Sequence, residues 1–184
     1  MEKQVQLDKA LEDKIEVYAA KGGFPPQYLY LSMLKSKECT KADIEWVRGF
    51  KRLDSNVAGF LYLGGHSALS TRMNLMAAAF TRNFIQARVV TLHSLLDSIA
   101  KDTDDYSQCS VLLVPDFYTM THGKGLTGWK VGVLYSLLLD RFIKGKKTVL
   151  YVEDLEALLK DYQSRELNRL LEDHYIRSTV KPNV

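Results

Sequence analysis

Four short, nearly continuous apolar runs mark the middle and end of the chain: GFLYLG (59–64), ARVVTLH (87–93), SVLLVPD (110–116) and KTVLYVED (147–154). Each is followed by a stretch with helical spacing, at Ser70–Phe84, Ser94–Lys101, Trp129–Lys144 and Leu155–Tyr162. Strands this apolar need cover on both faces, and alternation with helices supplies it. The pattern therefore predicts an α/β fold with a central parallel sheet, to which YIRSTV (175–180) adds a fifth strand. Residues 1–21 read as a charged amphipathic helix carrying Val5, Leu7, Leu11, Ile15 and Val17 among Lys and Glu. KGGFPPQ ends it, because the glycines stop a helix and the two prolines keep another from starting. Asp43–Phe50 reads as a short helix offering Ile44, Trp46 and Val47 for packing. The organisation is thus an N-terminal helix, 1–21, and a single domain, 22–184.

The apolar runs end in Gly64-Gly65, His93, Pro115-Asp116 and Glu153-Asp154. In open α/β sheets ligands bind beyond the carboxyl ends of the strands, so these residues are delivered to the edge where a site is expected. The chain's 184 residues, 46% hydrophobic and 26% charged, are enough for a real core. A net charge of +3 and pI near 8.7 permit weak contact with phosphates, short of the pI above about 9 that marks a nucleic-acid footprint. Cys39 and Cys109 belong to no CxxC pattern, which fits the cytoplasm. The charged N-terminus lacks the apolar core of a signal peptide, and no run is long enough to span a membrane. The histidines at 66, 93, 122 and 174 show no metal-ligand spacing, so no metal is expected.

Phe60–Phe80, FLYLGGHSALSTRMNLMAAAF, has the layout of a phosphate-binding loop: strand, glycine pair, short polar loop, helix. The motif GxxxxGK[ST] uses glycines to wrap backbone N–H groups around phosphates and a lysine to neutralise them. Here Gly64 and Thr71 hold their places, while Leu69 and Ser70 stand where glycine and lysine belong. The candidate binding residues are Gly64, Gly65, Ser70 and Thr71.

The order of segments resembles the AAA+ ATPase domain of the DnaC/IstB-type helicase loaders and transposition helpers. GGFPPQYLYLSM is similar to its entry segment, and DIEWVRGFKRLDSNVAGFLYLGG to the helix, linker and first strand before the phosphate loop. SVLLVPDFYTM stands at the second nucleotide motif, GWKVGVLYSLLLDRFIKGKKTVLYVEDL at the following helix and sensor strand, and SRELNRLLED at the arginine-finger segment. The resemblance covers roughly residues 22–180 and implies a P-loop NTPase-like AAA+ core. It also implies roles: Asp116 at the catalytic carboxylate, Asp154 at the sensor, and Arg165 and Arg169 at the pair whose first member reaches a neighbour's nucleotide.

The departures from the family bear on chemistry. Leu69 does not readily take a positive φ, and its side chain is expected to crowd phosphates. The magnesium-holding acid falls at Pro115. Glu153 and Asp154 without a lysine would repel a γ-phosphate. The expectation is a degenerate phosphate loop, no bound cofactor in the sense of ATP and magnesium, and a pseudo-ATPase. It would bind and regulate a replicative helicase or an active AAA+ ATPase in DNA replication or mobile-element mobilisation, as a homo- or hetero-oligomer. One rival is an active ATPase and helicase loader in which Thr71 and Asp116 still serve magnesium and water. Another is a DNA-binding accessory module using the loop HGKGLTGWK (122–130), in which Trp129 either stacks on bases or starts the next helix as a buried residue. Arg165 and Arg169 have a plainer reading as surface partners of Asp161, Glu166 or Asp173. Asp116 has one as a cap of the following turn, His66 as an exposed loop histidine. Only one helix and an acidic loop (Asp102, Asp104, Asp105) follow the second run, which leaves little room for the family's single-strand grip.

Overall fold

The computed structural model describes residues 2–65, 69–103 and 106–180. The apolar runs become β1 (Gly59–Gly64), β2 (Ala87–Val89), β3 (Val111–Tyr118), β4 (Lys147–Val152) and β5 (Tyr175–Val180). They form one sheet in the order β2-β3-β4-β1-β5, and every pairing is parallel. Side chains alternate between its two faces, as the strand period of two requires. Phe60, Tyr62, Leu113, Val149 and Tyr151 join one buried cluster; Leu61, Leu112, Val114, Leu150 and Val152 join the other.

Helices cover both faces. The first cluster is closed by α2 (Lys41–Gly49) and α3 (Leu69–Arg82), with Phe24 and Met33 from the segment before them. The second is closed by α4 (Leu92–Lys101), α5 (Gly128–Ile143), α6 (Leu155–Tyr162) and α7 (Arg165–His174). From Leu75 to Phe80 α3 is buried without a break, and Ala77–Ala79 let its backbone lie close to the sheet. Thr40 starts α2 through a capping box: its hydroxyl accepts from Asp43 N–H, and the Asp43 carboxylate accepts from Thr40 N–H at 2.7 Å.

The second strand is shorter than expected. Only 87–89 pair with β3, and Thr91 then caps α4 by accepting from Ser94 N–H at 3.3 Å. Capping by a threonine hydroxyl outweighs the β preference of the Val-Val-Thr run. His93 therefore lies in the first turn of α4 and not at a strand end. The outer edge of β2 meets the Gly22-Gly23 pair, where Val89 N–H donates to Gly22 C=O at 2.7 Å. Gly23 has φ +67°, and a Cβ there would stand 2.2 Å from the Val89 carbonyl oxygen, so only glycine fits.

The N-terminal helix forms as α1 (Glu2–Ala20). Ile15, Tyr18 and Ala19 are half-buried, whereas Leu11 and Val17 are exposed, so its second half packs through a narrow stripe. Among the described residues, no helix is long and apolar enough to cross a membrane.

At the amino edge of the sheet Arg141 is fully buried. Its guanidinium donates to the carbonyls of Tyr106, Cys109 (3.0 Å) and Lys147 (2.6 Å) and to the Thr148 hydroxyl (3.1 Å). One side chain thereby fastens the entrances of β3 and β4.

Candidate functional site

The carboxyl edge of the sheet brings together Gly64 at the end of β1, Asp116 near the end of β3, and Glu153 and Asp154 just after β4. What each residue does there was only partly foreseeable. Gly64 turns the chain out of β1 with φ +90°, and its carbonyl accepts from the Tyr151 hydroxyl at 2.6 Å. Tyr151 is buried, and burial, with Glu153 nearby, pushes its phenol up to about 12. Gly65 is half-buried. His66 lies outside the described residues.

The helix after the loop begins with Leu69, Ser70 and Thr71. Leu69 is buried in the cluster with Met73 and Phe60 and has no positive φ. Its side chain is thus turned into the core. Ser70 is exposed and Thr71 half-buried.

The next residue, Arg72, is a cation one position beyond the motif, but its guanidinium points the other way. It is buried and ion-paired with the fully buried Asp43 at 2.9 Å. It donates from Nε to Oδ2 (3.0 Å) and from Nη2 to Oδ1 (3.1 Å), and it reaches Thr40 Oγ1 at 3.3 Å. The Tyr62 hydroxyl donates to the same carboxylate, and the guanidinium lies 4.7 Å from the Tyr62 ring centre. Burial, with the Asp43 charge behind it, holds the Tyr62 phenol well above its ordinary range. Arg72 was missed from sequence. The signal was a lone charge in the otherwise apolar face of α3, matched by tyrosines in β1 and β4 whose hydroxyls had to find partners.

The acidic residues are committed as well. Pro115 has no N–H for the ladder, and the β3–β4 register shifts between Val114 and Tyr118. Beside it the Asp116 carboxylate accepts from Leu92 N–H at 2.7 Å. Asp116 thus caps the start of α4, not the turn that follows it. Burial raises its pKa above the ordinary carboxylate value, and the Leu92 N–H only partly offsets this. Asp154 is the N-cap of α6, accepting from Ala157 N–H at 3.0 Å. Glu153 accepts from Met120 N–H at 2.7 Å, holding the loop after β3 against β4.

Arg165 and Arg169 sit on α7, whose last turn leads directly into β5. Both are exposed, and neither forms an ion pair or hydrogen bond among the described residues. The surface pairings with Asp161, Glu166 or Asp173 are not made; Asp161 accepts instead from the Tyr118 hydroxyl at 2.7 Å. Arg165 opens the helix, where the macrodipole disfavours a cation.

Trp129 is not a buried start to α5: it is 63% exposed. With Lys130, His122, His93 and the apolar Leu92 and Leu126 it lines a cleft of about 250 Å³ between α4 and the 121–130 loop. Among the described residues no group of acidic, histidine or cysteine side chains could hold a metal ion.

No protein-family model matches the chain, and no curated protein sequence matches it. Solved structures do. The chain is similar to DnaI at a TM-score of 0.61 and 14% identity, covering 86% of this chain and 92% of that one. It is similar to the DnaC helicase loader at 0.60 and 12%, over 85% of this chain and all (100%) of that one. Domain III of the Thermotoga maritima replication initiation protein DnaA matches at 0.61 and 14%, over 87% and 70%. At these identities the likeness establishes the fold alone: the chain is a single domain with a five-stranded parallel sheet flanked by helices, the fold of these structures.

Proposed function

We propose that the chain is a non-catalytic AAA+-like protein of DNA replication or mobile-element mobilisation. It acts in the cytoplasm by binding a replicative helicase or an active AAA+ ATPase, with Arg165 reaching the partner's nucleotide. One contrast carries the reading. The carboxylates at the nucleotide positions, Asp116, Glu153 and Asp154, accept from the protein's own backbone, while the arginines of α7 are left without partners among the described residues. Asp116 and Asp154 cap helices, and Arg72 is neutralised by Asp43. A magnesium triphosphate needs a free carboxylate and a free cation at this edge, and that these residues are already engaged supports a chain that carries no ATP of its own. A cation at the first position of α7 opposes the helix dipole with no ion pair to offset it. An anion supplied from outside would reward it.

Two measurements test this. Calorimetric titration with ATP and magnesium is expected to show no micromolar binding; binding that Thr71→Ala abolishes would favour the active-ATPase reading. Arg165→Ala is expected to slow hydrolysis by a purified helicase or AAA+ partner by about a thousandfold, the scale of a lost finger, without unfolding the chain. An unchanged rate removes Arg165 from the proposal.

A second reading, direct binding of single-stranded DNA, is favoured by the exposed Trp129 beside Lys130. An aromatic face with a neighbouring cation suits a stacked base. It predicts binding that falls steeply with salt and is lost in Trp129→Ala. Absence of binding at low salt would remove it.

A further inference from the structure

Beside the phosphate-loop position, and sharing Thr71 with it, the molecule carries an exposed apolar groove. Two consecutive 3-10 turns, Pro26–Tyr30 and Met33–Lys35, lie along α3. They leave Tyr30 88%, Leu31 49% and Leu34 63% exposed. Three large apolar side chains within five residues are a concentrated patch, not the scattered exposure usual at surfaces. The patch is also concave. Tyr28, Tyr30, Leu31 and Lys35 form one wall and Thr71 and Leu75 of α3 the other, around a groove of about 400 Å³. The turns are held in place from behind: Arg82 donates to the carbonyls of Tyr28 (3.2 Å) and Leu29 (2.7 Å), and Met33 and Phe24 are buried beneath them. The groove is therefore a preformed element of the fold.

Its charge is one-sided. Residues 17–42 contain Lys21, Lys35, Lys37 and Lys41 and a single acid, Glu38. Lys41 pairs with Glu45 at 3.6 Å, which leaves Lys35 and Lys37 as the cations beside the groove. Lys35 lines the groove itself, and neither it nor Lys37 makes an ion pair or hydrogen bond among the described residues. The α3 wall adds no opposing charge, because Thr71 and Leu75 are neutral.

We propose that this groove docks an acidic amphipathic segment of a partner protein, which seats an aromatic or leucine anchor against Tyr28, Leu31 and Leu75 and sets carboxylates against Lys35 and Lys37. An apolar anchor in a preformed pocket supplies affinity, and the lysine rim supplies sign and on-rate. Lysines with exposed apolar residues also suit an anionic membrane, but lipid binding uses a projecting apolar face, whereas here the apolar surface lines a cavity. This surface is separate from Arg165, and its test involves no nucleotide.

The experiment is selection of a random-peptide display library on the intact chain, followed by anisotropy titration of the enriched peptides. Enriched sequences are expected to pair Leu or aromatic anchors with Asp and Glu, and their charge-reversed versions to fail. Leu31→Ala should weaken binding about tenfold, as loss of an anchor contact does. Lys35→Glu should weaken it further at low salt than at high salt, with circular dichroism unchanged in both variants. Enrichment of basic or uncharged peptides, or titrations indifferent to Leu31 and Lys35, would overturn the proposal. So would preferential binding to phosphatidylserine vesicles, or concentration-dependent dimerisation abolished by Leu31→Ala.

Discussion

Asp43 and Arg72 show why the charge beside the loop is not available to a ligand. A buried ion pair gains little net stability over an apolar substitute, but removing one partner strands the other charge in a dry interior. Arg72→Met should therefore destabilise the protein by about 3–5 kcal/mol, measured by urea unfolding. Asp43→Leu with Arg72→Met should recover much of that loss, because the double variant leaves no orphaned charge. A double variant as unstable as the single one would show that the pair does more than neutralise itself. Asp116 gives a second test with a sign. Its pKa is raised on folding by burial, so the folded state holds its proton more tightly than the unfolded chain. The associated stabilisation is fully present below the unfolded carboxylate pKa and is lost as pH rises through the higher folded value. Asp116→Asn keeps the acceptor for Leu92 N–H and should remove that pH dependence without loss at neutral pH. Asp116→Ala should cost about 1 kcal/mol, as lost caps do. Stability profiles across pH for the three proteins decide it.

Among the elements, the central strands were legible because a buried parallel strand leaves a continuous apolar run. β1 matches its predicted run residue for residue. So does β5, an edge strand exposed at Ile176, Arg177 and Thr179 and legible from its β-branched residues instead. The exception, β2, failed where Thr91 offered a cap, and apolar content alone does not distinguish a strand from the first turn of a buried helix. The candidate site was half legible. Sequence order placed Gly64, Asp116 and Asp154 at the carboxyl edge, but whether an acid faces a ligand or a helix N-terminus depends on the turn that follows it. Asp154 illustrates this, since it stands three residues before Ala157, the spacing of a cap. Asp154→Ala should lower stability by about 1 kcal/mol and raise amide exchange in α6 before other helices. If exchange there is unchanged, the cap is not what holds that helix.

At the scale of the whole molecule, the chain shares the parallel-sheet fold of the helicase-loader and initiator structures, and the carboxylates at its carboxyl edge accept from the protein's own backbone. The resemblance in segment order reflects topology, which 11–14% identity still preserves. One feature of the architecture has mechanical meaning. The Gly22-Gly23 passage binds the end of α1 to β2 through peptide groups alone, with Val89 N–H on the Gly22 carbonyl. Beside the side-chain packing of Ile15, Tyr18 and Ala19, force applied to the N-terminal helix has a direct main-chain route to the shortest strand. A methyl group at Gly23 would collide with the Val89 carbonyl, so Gly23→Ala should speed exchange of the Val89 amide while leaving the β1–β4 ladder protected. A tug on the first twenty residues then becomes a strain on the sheet's far margin, a tether whose slack is set by two missing side chains.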